Sequence, residues 1–462
     1  MKPVRLNAFV MNTVGHMAPG LWARAGDRAG RYTDLEHWAD LARTLERGLF
    51  DGVFIADVIG VYDVYRGSID SAVRRGAQIP VNDPLQIVPA MALVTEHLGF
   101  GITASVSFEH PVPFARRMST LDHLTKGRAG WNIVTSYLES GARNLGRPAQ
   151  LEHDERYDVA EEYLEVCYKL WEASWEDGAV VRDAAAGIYA DPSKVHPIGH
   201  RGRHFTVPGI HLCEPSPQRT PVRYQAGASA RGRAFAARHA ECVFTAGPTI
   251  AVQKKSVAAL REAVAAAGRN PGDVLVFNMQ TVILGETDAE AERKLAALKD
   301  QIADEAALTL LSGWTGIDLS AYGPDEPLRY VKTNAGQSAV ESFSVADAAR
   351  QWTIRELADW CRLGGRGPVL AGSPATVADL LQEWVEETGV DGFNLTYAEM
   401  PGSFVDVADL LIPELQRRGV YKRAYAPGTL REKLFGNGPR LPVRHPAGRL
   451  HEIGAAGLGA GG

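Results

Sequence analysis

Asp57 stands directly behind the apolar run Gly52–Ala56. A carboxylate there can accept hydrogen bonds from the N–H or hydroxyl groups of a ligand. Thr103 and Ser105 close a second run, Phe100–Ser105, and Asn132, Thr135 and Ser136 close a third within GWNIVTSYLESGARNLG. Small hydroxyls and an amide offer directional donors and acceptors without bulk, as the edge of a heteroaromatic ring requires. Turn formation explains any one of them equally well, and only their shared position behind successive runs favours a ligand. His153 and Tyr157 lie four apart at the start of a helical stretch, LEHDERYDVAEEYLEV, and so point from one face. Near a helix N-terminus they face any anion bound there, although packing is the plainer role for such a pair. Gln225-Ala226-Gly227-Ala228-Ser229 joins an apolar run to a helix. Glycine admits close backbone approach, Ser229 adds a hydroxyl, and the helix start offers unpaired N–H groups. That is a phosphate cradle or an ordinary helix cap. His16, in MNTVGHMAPGLW, follows the first run and is placed at the mouth of a pocket, or is structural.

Other patterns carry less. His196, His200, His204 and His211 have tempting spacing, but Pro197, Gly199, Gly202 and Pro208 break any helix that would align them, so no metal is expected. The terminal GAAGLGAGG has no strand before it and is not a dinucleotide loop. Cys167, Cys213, Cys242 and Cys361 are far apart without a CxxC, which suits reduced, buried thiols.

The elements that position these residues alternate along the chain. Strand-like runs are expected at Leu6–Met11, Gly52–Ala56, Phe100–Ser105, Gly130–Val134, Val222–Ala226, Cys242–Thr245, Val274–Leu284 and Gly392–Tyr397, each leading into a helical pattern. Thr33 is placed to cap the first helix, Thr287–Glu290 has the capping-box pattern, and Ser373-Pro374 opens another helix. One long helix is expected from Asp154 to Trp175. Eight such units indicate a parallel sheet covered by helices, and the count favours an α/β fold closed as a (β/α)8 barrel over an open sheet. Residues 1–425 form that barrel, interrupted by long segments near 177–221 and 306–345. Ordered insertions of that length serve as lids or interfaces. Residues 426–462 read as a C-terminal arm or flexible tail.

A net charge of −6 with acids interspersed among arginines argues against a nucleic-acid surface. No apolar run approaches the roughly 20 residues of a membrane helix. MKPVRLNAFVMNTVG is too polar for a signal peptide, so a cytoplasmic protein is expected.

The stretches FDGVFIAD, GRAGWNIVTSYLESGARNLG with HDERYDVAEEY, PVRYQAGASARGRAFAARHA, LSGWTGIDLS and DGFNLTY occur in an order that resembles the bacterial-luciferase-like flavin monooxygenases. The branch is that of the nitrilotriacetate and dibenzothiophene-sulfone monooxygenases. The resemblance runs from about Leu6 to Arg423 and implies a (β/α)8 barrel using reduced FMN from a separate NAD(P)H:flavin reductase, with O2 as co-substrate. By similarity Asp57, Thr103 and Asn132, with Thr135 beside them, surround the isoalloxazine ring. His153, Tyr157, Gly227, Ala228 and Ser229 hold the ribityl-phosphate end. It implies insertion of one oxygen atom into a small organic substrate through a C4a-(hydro)peroxyflavin, with Ser136 and His16 as candidates for contact with the adduct and substrate. A homodimer or homotetramer is implied. A deazaflavin-dependent oxidoreductase of the same superfamily and a non-catalytic flavin binder are the alternatives.

Overall fold

Runs of buried residues, each ended by a polar turn, become strands that close on themselves. The computed structural model describes residues 2–227, 229–344 and 350–452. Among them the barrel strands are β1 (Arg5–Met11), β2 (Gly52–Ala56), β3 (Gly99–Ser105), β4 (Ala129–Val134), β5 (Val222–Gln225), β6 (Cys242–Thr245), β7 (Leu275–Leu284) and β8 (Gly392–Thr396). All pair in parallel in that order, and β8 returns to β1 through Leu6↔Phe393 and Asn7↔Asn394. The fold is therefore the expected (β/α)8 barrel. A further short strand, Val369–Gly372, pairs with the outer half of β7.

The lower barrel is filled by Phe54, Tyr224, Phe244 and Phe277, with Tyr224 and Phe244 stacked at 5.4 Å. Gly130 leaves room for this layer: a Cβ there would sit 2.5 Å from the Tyr224 ring. Around it, α1 (Leu35–Arg47) buries Trp38, Leu41, Ala42 and Leu45 at helical spacing. Its cap position is Asp34, one residue beyond the expected Thr33, and no side chain caps it. Thr287 accepts the Glu290 N–H, but the Glu290 carboxylate takes the N–H of Glu286 rather than of Thr287, so the box is only half formed. Ser373 caps the helix at Pro374–Thr388 as its sequence suggests. The helix expected over 154–175 is α2 (His153–Tyr168), followed by a π-helical turn at Lys169–Ala173.

The two interruptions have different fates. Residues 177–221 form two small hairpins, Val180–Asp183 with Ile188–Ala190 and His200–Arg201 with Thr206–Val207. The later one contributes α5 (Asp304–Thr315) and α6 (Gln337–Ser344), and α7 (Ile354–Cys361) follows. They share a second apolar cluster with Tyr62 and Leu138 above the strand ends.

The other end of the barrel is closed by α8 (Leu430–Phe435), which lies in what reads as a glycine-rich arm. Thr429 and Glu432 form a full capping box there, the structural counterpart of a T-x-x-E pattern in the sequence. Leu430 and Leu434 join the aromatic layer. The Arg431 guanidinium donates to Glu241 at 2.7 and 3.1 Å and to the Thr220 carbonyl at 2.7 Å. Arg223 meets the same carboxylate at 2.9 Å. The stretch GAAGLGAGG lies outside the described residues.

These two guanidinium groups hold the buried Glu241 carboxyl down at about 2. A depressed folded-state value gives stability that is complete above the ordinary carboxylate range near 4.5 and is lost as pH falls towards 2. Arg431→Met leaves Glu241 with one cation, and breaking such a buried pair costs about 3–5 kcal/mol. Urea unfolding at pH 7 is expected to show a loss in that range. A loss below about 1 kcal/mol would mean that α8 does not lock the floor.

Candidate active site

Above the aromatic layer the C-terminal strand ends open into a cavity of about 350 Å3. Asp57, Thr103, Asn132, Thr135, Ser136, His153, Tyr157, Gly227 and Ser229 all line it, so the structure gathers residues that the sequence scatters over more than 170 positions. Ala228 lies outside the described residues.

On one wall the starts of two helices meet. Ser229 caps α3 (Ala230–His239) by accepting the Gly232 N–H, and its hydroxyl lies 3.3 Å from Nε2 of His153, the first residue of α2. Tyr157 stacks edge-on against His153, with ring centroids 5.3 Å apart. Gly227 keeps this turn tight: a Cβ there would displace the Gln225 amide and come within 2.9 Å of Tyr157 Oη and 3.0 Å of the Gly232 Cα. Helix N-termini carry partial positive charge and free N–H groups, and Arg156 adds a full charge. Arg156 is buried and lines the cavity. Its Nη2 donates to the Asn334 carbonyl at 2.9 Å, while Nε and Nη1 have no partner among the described residues. The sequence signal for it was its position three residues after His153, on the same helical face.

The opposite polar group is built on β3 and β4, where register sets Thr103 beside Asn132. The Asn132 amide donates to Thr103 Oγ1 at 2.9 Å, which leaves Asn132 Oδ1 buried with no donor. Asn394 on β8, in the DGFNLTY stretch, presents a second unpartnered Oδ1 to the cavity. Asp57 is the only carboxylate among the described lining residues. Burial pushes its carboxyl up to about 6, against a single lowering contribution from the Val58 N–H. Ser136 adopts a left-handed backbone (φ 56°), a conformation that costs a non-glycine residue energy and concentrates at functional sites. Its hydroxyl lies 2.8 Å from that of Ser105.

His16 is not brought to the cavity. It is 1% exposed, packed against Phe9 at 4.6 Å and near Tyr397 at 6.1 Å, and burial pushes it down to about 3, so it is neutral. Its backbone carbonyl instead ends a hydrogen-bonded chain that sequence reasoning missed. Tyr62 Oη donates to Gln78 Oε1 at 2.8 Å, and Gln78 Nε2 donates to the His16 carbonyl at 3.2 Å. Since the Tyr62 proton is committed, Tyr137 donates to Tyr62 at 2.8 Å, and Trp314 Nε1 adds a donor at 3.2 Å. Trp314 and Tyr137 form part of the cavity wall, and Ala335 to Gln337 extend it, so the second insertion roofs the site. Residues 177–221 contribute no lining residue, which corrects the expectation that both interruptions cover it.

The four tempting histidines are separate. His196 meets Glu176, His200 meets Glu162, His204 donates only its backbone N–H to Glu162, and His211 meets Ser119. Among the described residues no group of three or more His, Cys, Asp or Glu side chains is arranged to hold a metal ion.

A barrel whose strand ends open into a mainly apolar cavity, with a few polar groups and an arginine beside two helix starts on one wall, has the form of a ligand-binding enzyme site. Residues 14–392 match the luciferase-like monooxygenases, and the chain belongs to that family of flavin-dependent monooxygenases. It is 50% identical to the dimethyl-sulfide monooxygenase of Hyphomicrobium sulfonivorans over 98% of this chain and 94% of that one. It is 51% identical to the long-chain alkane monooxygenase of Geobacillus thermodenitrificans over 98% and 99%. The crystal structure of the Hyphomicrobium enzyme superimposes with a TM-score of 0.90 over 99% of this chain and 96% of that one. A riboflavin lyase solved with modified FMN and riboflavin gives 0.91 at 36% identity, over 97% and 99%. Coenzyme F420-dependent enzymes at 13–14% identity share the fold alone.

Asp57 yields a test that needs no ligand. Its raised carboxyl binds a proton more tightly in the folded than in the unfolded chain, so stability falls as pH rises from about 4 to about 6 and is level above. Asp57→Asn should remove that fall, making the variant more thermostable than the parent at pH 8 and no more so at pH 4. Parallel melting curves would assign no desolvation cost to Asp57.

Proposed function

We propose that this chain is the oxygenase component of a two-component system, taking reduced FMN from a separate NAD(P)H:flavin reductase and inserting one atom of O2 into a small organic substrate. The observation that carries the reading is the pairing of two poles in one cavity. Arg156, with two unpartnered N–H groups beside the converging helix starts, suits a phosphate. The orphan Asn132 Oδ1 and the Asp57 carboxyl suit the N–H edge of a flavin ring. Among the described residues no strand runs into a glycine-rich dinucleotide turn, in keeping with electrons arriving on a separately reduced flavin.

When bound, reduced flavin supplies the electrons that activate O2. The protein's share is placement and dryness. Gly227 and Ser229 fix the phosphate end, Thr103 and Asn132 orient the ring, and the roof from Trp314 to Gln337 keeps water from the reacting atoms. Ser136 is held by its strained backbone with its hydroxyl at the wall, positioned to donate to an oxygen atom in transfer. Among the described residues no helix is long and apolar enough to cross a membrane. We place the enzyme in the cytoplasm as a homodimer or homotetramer.

The test is turnover with a flavin reductase, heavy-isotope O2 and a panel of organic sulfides, alkanes and small organic acids. A substrate-dependent product carrying one labelled oxygen atom is expected. Turnover only under anaerobic conditions with reduced deazaflavin would overturn the proposal. Two variants refine it. Ser229→Asp sets a carboxylate beside the phosphate and should weaken FMN binding at least tenfold, about 1.4 kcal/mol or more. Ser136→Ala should keep FMN affinity but lower the product formed per reduced flavin consumed. An unchanged ratio would assign Ser136 to the turn alone.

A further inference from the structure

Of the acidic and basic side chains lining the cavity, Asp57, His153 and Arg156 belong to the flavin reading and Arg366 does not. Arg366 lies on the segment between α7 and the short strand Val369–Gly372, beside the roof, whereas His153 and Ser229 stand at the starts of α2 and α3. Its backbone is pinned. The Trp360 indole donates to its carbonyl at 3.3 Å, and glycines flank it where side chains would not fit. A Cβ on Gly365 would come within 2.7 Å of Met17 Sδ, and one on Gly367 within 2.7 Å of the Met279 carbonyl oxygen.

The guanidinium so held forms no ion pair and no side-chain hydrogen bond with any described residue, and it lies 6.0 Å from the Trp314 ring centroid. Tyr62, Tyr137 and Cys361 are the titratable groups that act on it, and burial holds all three above their ordinary values, so each is neutral at pH 7. Arginines enclosed in the scaffold are different. Arg223 and Arg431 share Glu241, and Arg219 meets Asp177 at 2.6 Å. Arg366 is half-buried at the cavity wall with no anion among its described neighbours, so its charge is open to a ligand, and a planar guanidinium is matched by a two-oxygen anion.

We infer that Arg366 receives an oxyanion group of the substrate, so that the enzyme acts on small organic acids whose apolar body lies against Met17 and Trp314. Only the word substrate rests on the oxygenase reading; the anion site stands without it. The charged head is bound at the roof and the phosphate of the flavin at the starts of α2 and α3, so loss of Arg366 separates the two.

Isothermal titration of the FMN-loaded, full-length protein with hexanoate and with its neutral isostere hexanamide tests this. Hexanoate is expected to bind at least tenfold more tightly. Arg366→Met should equalise the two ligands while changing FMN affinity less than twofold, and Arg366→Lys should keep part of the preference. Equal affinities in the unmodified protein would overturn the inference, as would a preference that survives in Arg366→Met. A tenfold loss of FMN affinity in that variant would also overturn it, because the guanidinium would then serve the flavin. If Arg366→Met does not fold, Arg366→Gln carries the same comparison, and the unmodified protein decides on its own. Failure to incorporate oxygen with the hexanoate preference intact would count against the oxygenase reading and leave the anion site standing.

Discussion

A carboxylate enclosed in protein must be compensated, and at the barrel floor Glu241 meets that requirement by drawing three parts of the chain together. Arg223 comes from β5, Glu241 from the turn before β6, and Arg431 from α8. β5 is only four residues long, so the floor is close to the cavity. Two residues beyond Arg223 stands Gln225, whose side chain accepts the Gly227 N–H at 2.8 Å. The same strand sets Tyr224 opposite Asn132. The Gly227 turn and the Asn132 amide are therefore both fixed through a strand whose far end is held by the ion triplet. Such a triplet adds little net stability over apolar packing, but it tolerates few alternative arrangements.

The arginines of the scaffold and of the cavity wall differ in how fully their donors are used. Arg128 is buried and donates to the Thr125, Leu98 and Ala92 carbonyls and to the Thr95 hydroxyl, which makes it structural. Arg156 spends one nitrogen on the roof and leaves two, and Arg366 spends none on any described side chain or carbonyl. Asn132 and Asn394 each keep an unpaired oxygen at the cavity. At the cavity a ligand can meet this unmet capacity, whereas the unpaired ring nitrogens of His16 lie in the core. Asp57 follows the same rule, since its burial is unfavourable to the protein alone.

The barrel strands were legible because apolar runs of the right length are bounded by turn residues, and that pattern is local. Asp57, Thr103 and Asn132 were legible for the same reason: a strand end on a barrel predicts its own location. What stayed hidden depends on closure. Tyr62 and Trp314 are 252 residues apart, and nothing near either residue announces that they share a hydrogen bond. His16 shows the limit from the other side. Its position behind β1 placed it at the correct end of the barrel, but its neighbours Phe9 and Tyr397 turned its ring into the core. Arg366 carries no motif at all. Its significance comes from the carboxylates that are missing around it, and an absence in space has no signature in sequence.

The roof enters the chain between β7 and β8, and both of its ends return to the barrel wall. Residues that suit the flavin lie mostly between positions 57 and 229, whereas Trp314, Gln337 and Arg366 come from one later stretch. Change confined to that stretch would alter which molecules are admitted while leaving the earlier positions untouched. Its ties to the rest of the chain include the Tyr62–Trp314, Arg156–Asn334, Ser71–Thr309 and Arg75–Glu305 contacts. A change of appetite is then written in one segment and in the side chains that meet it, rather than throughout the barrel.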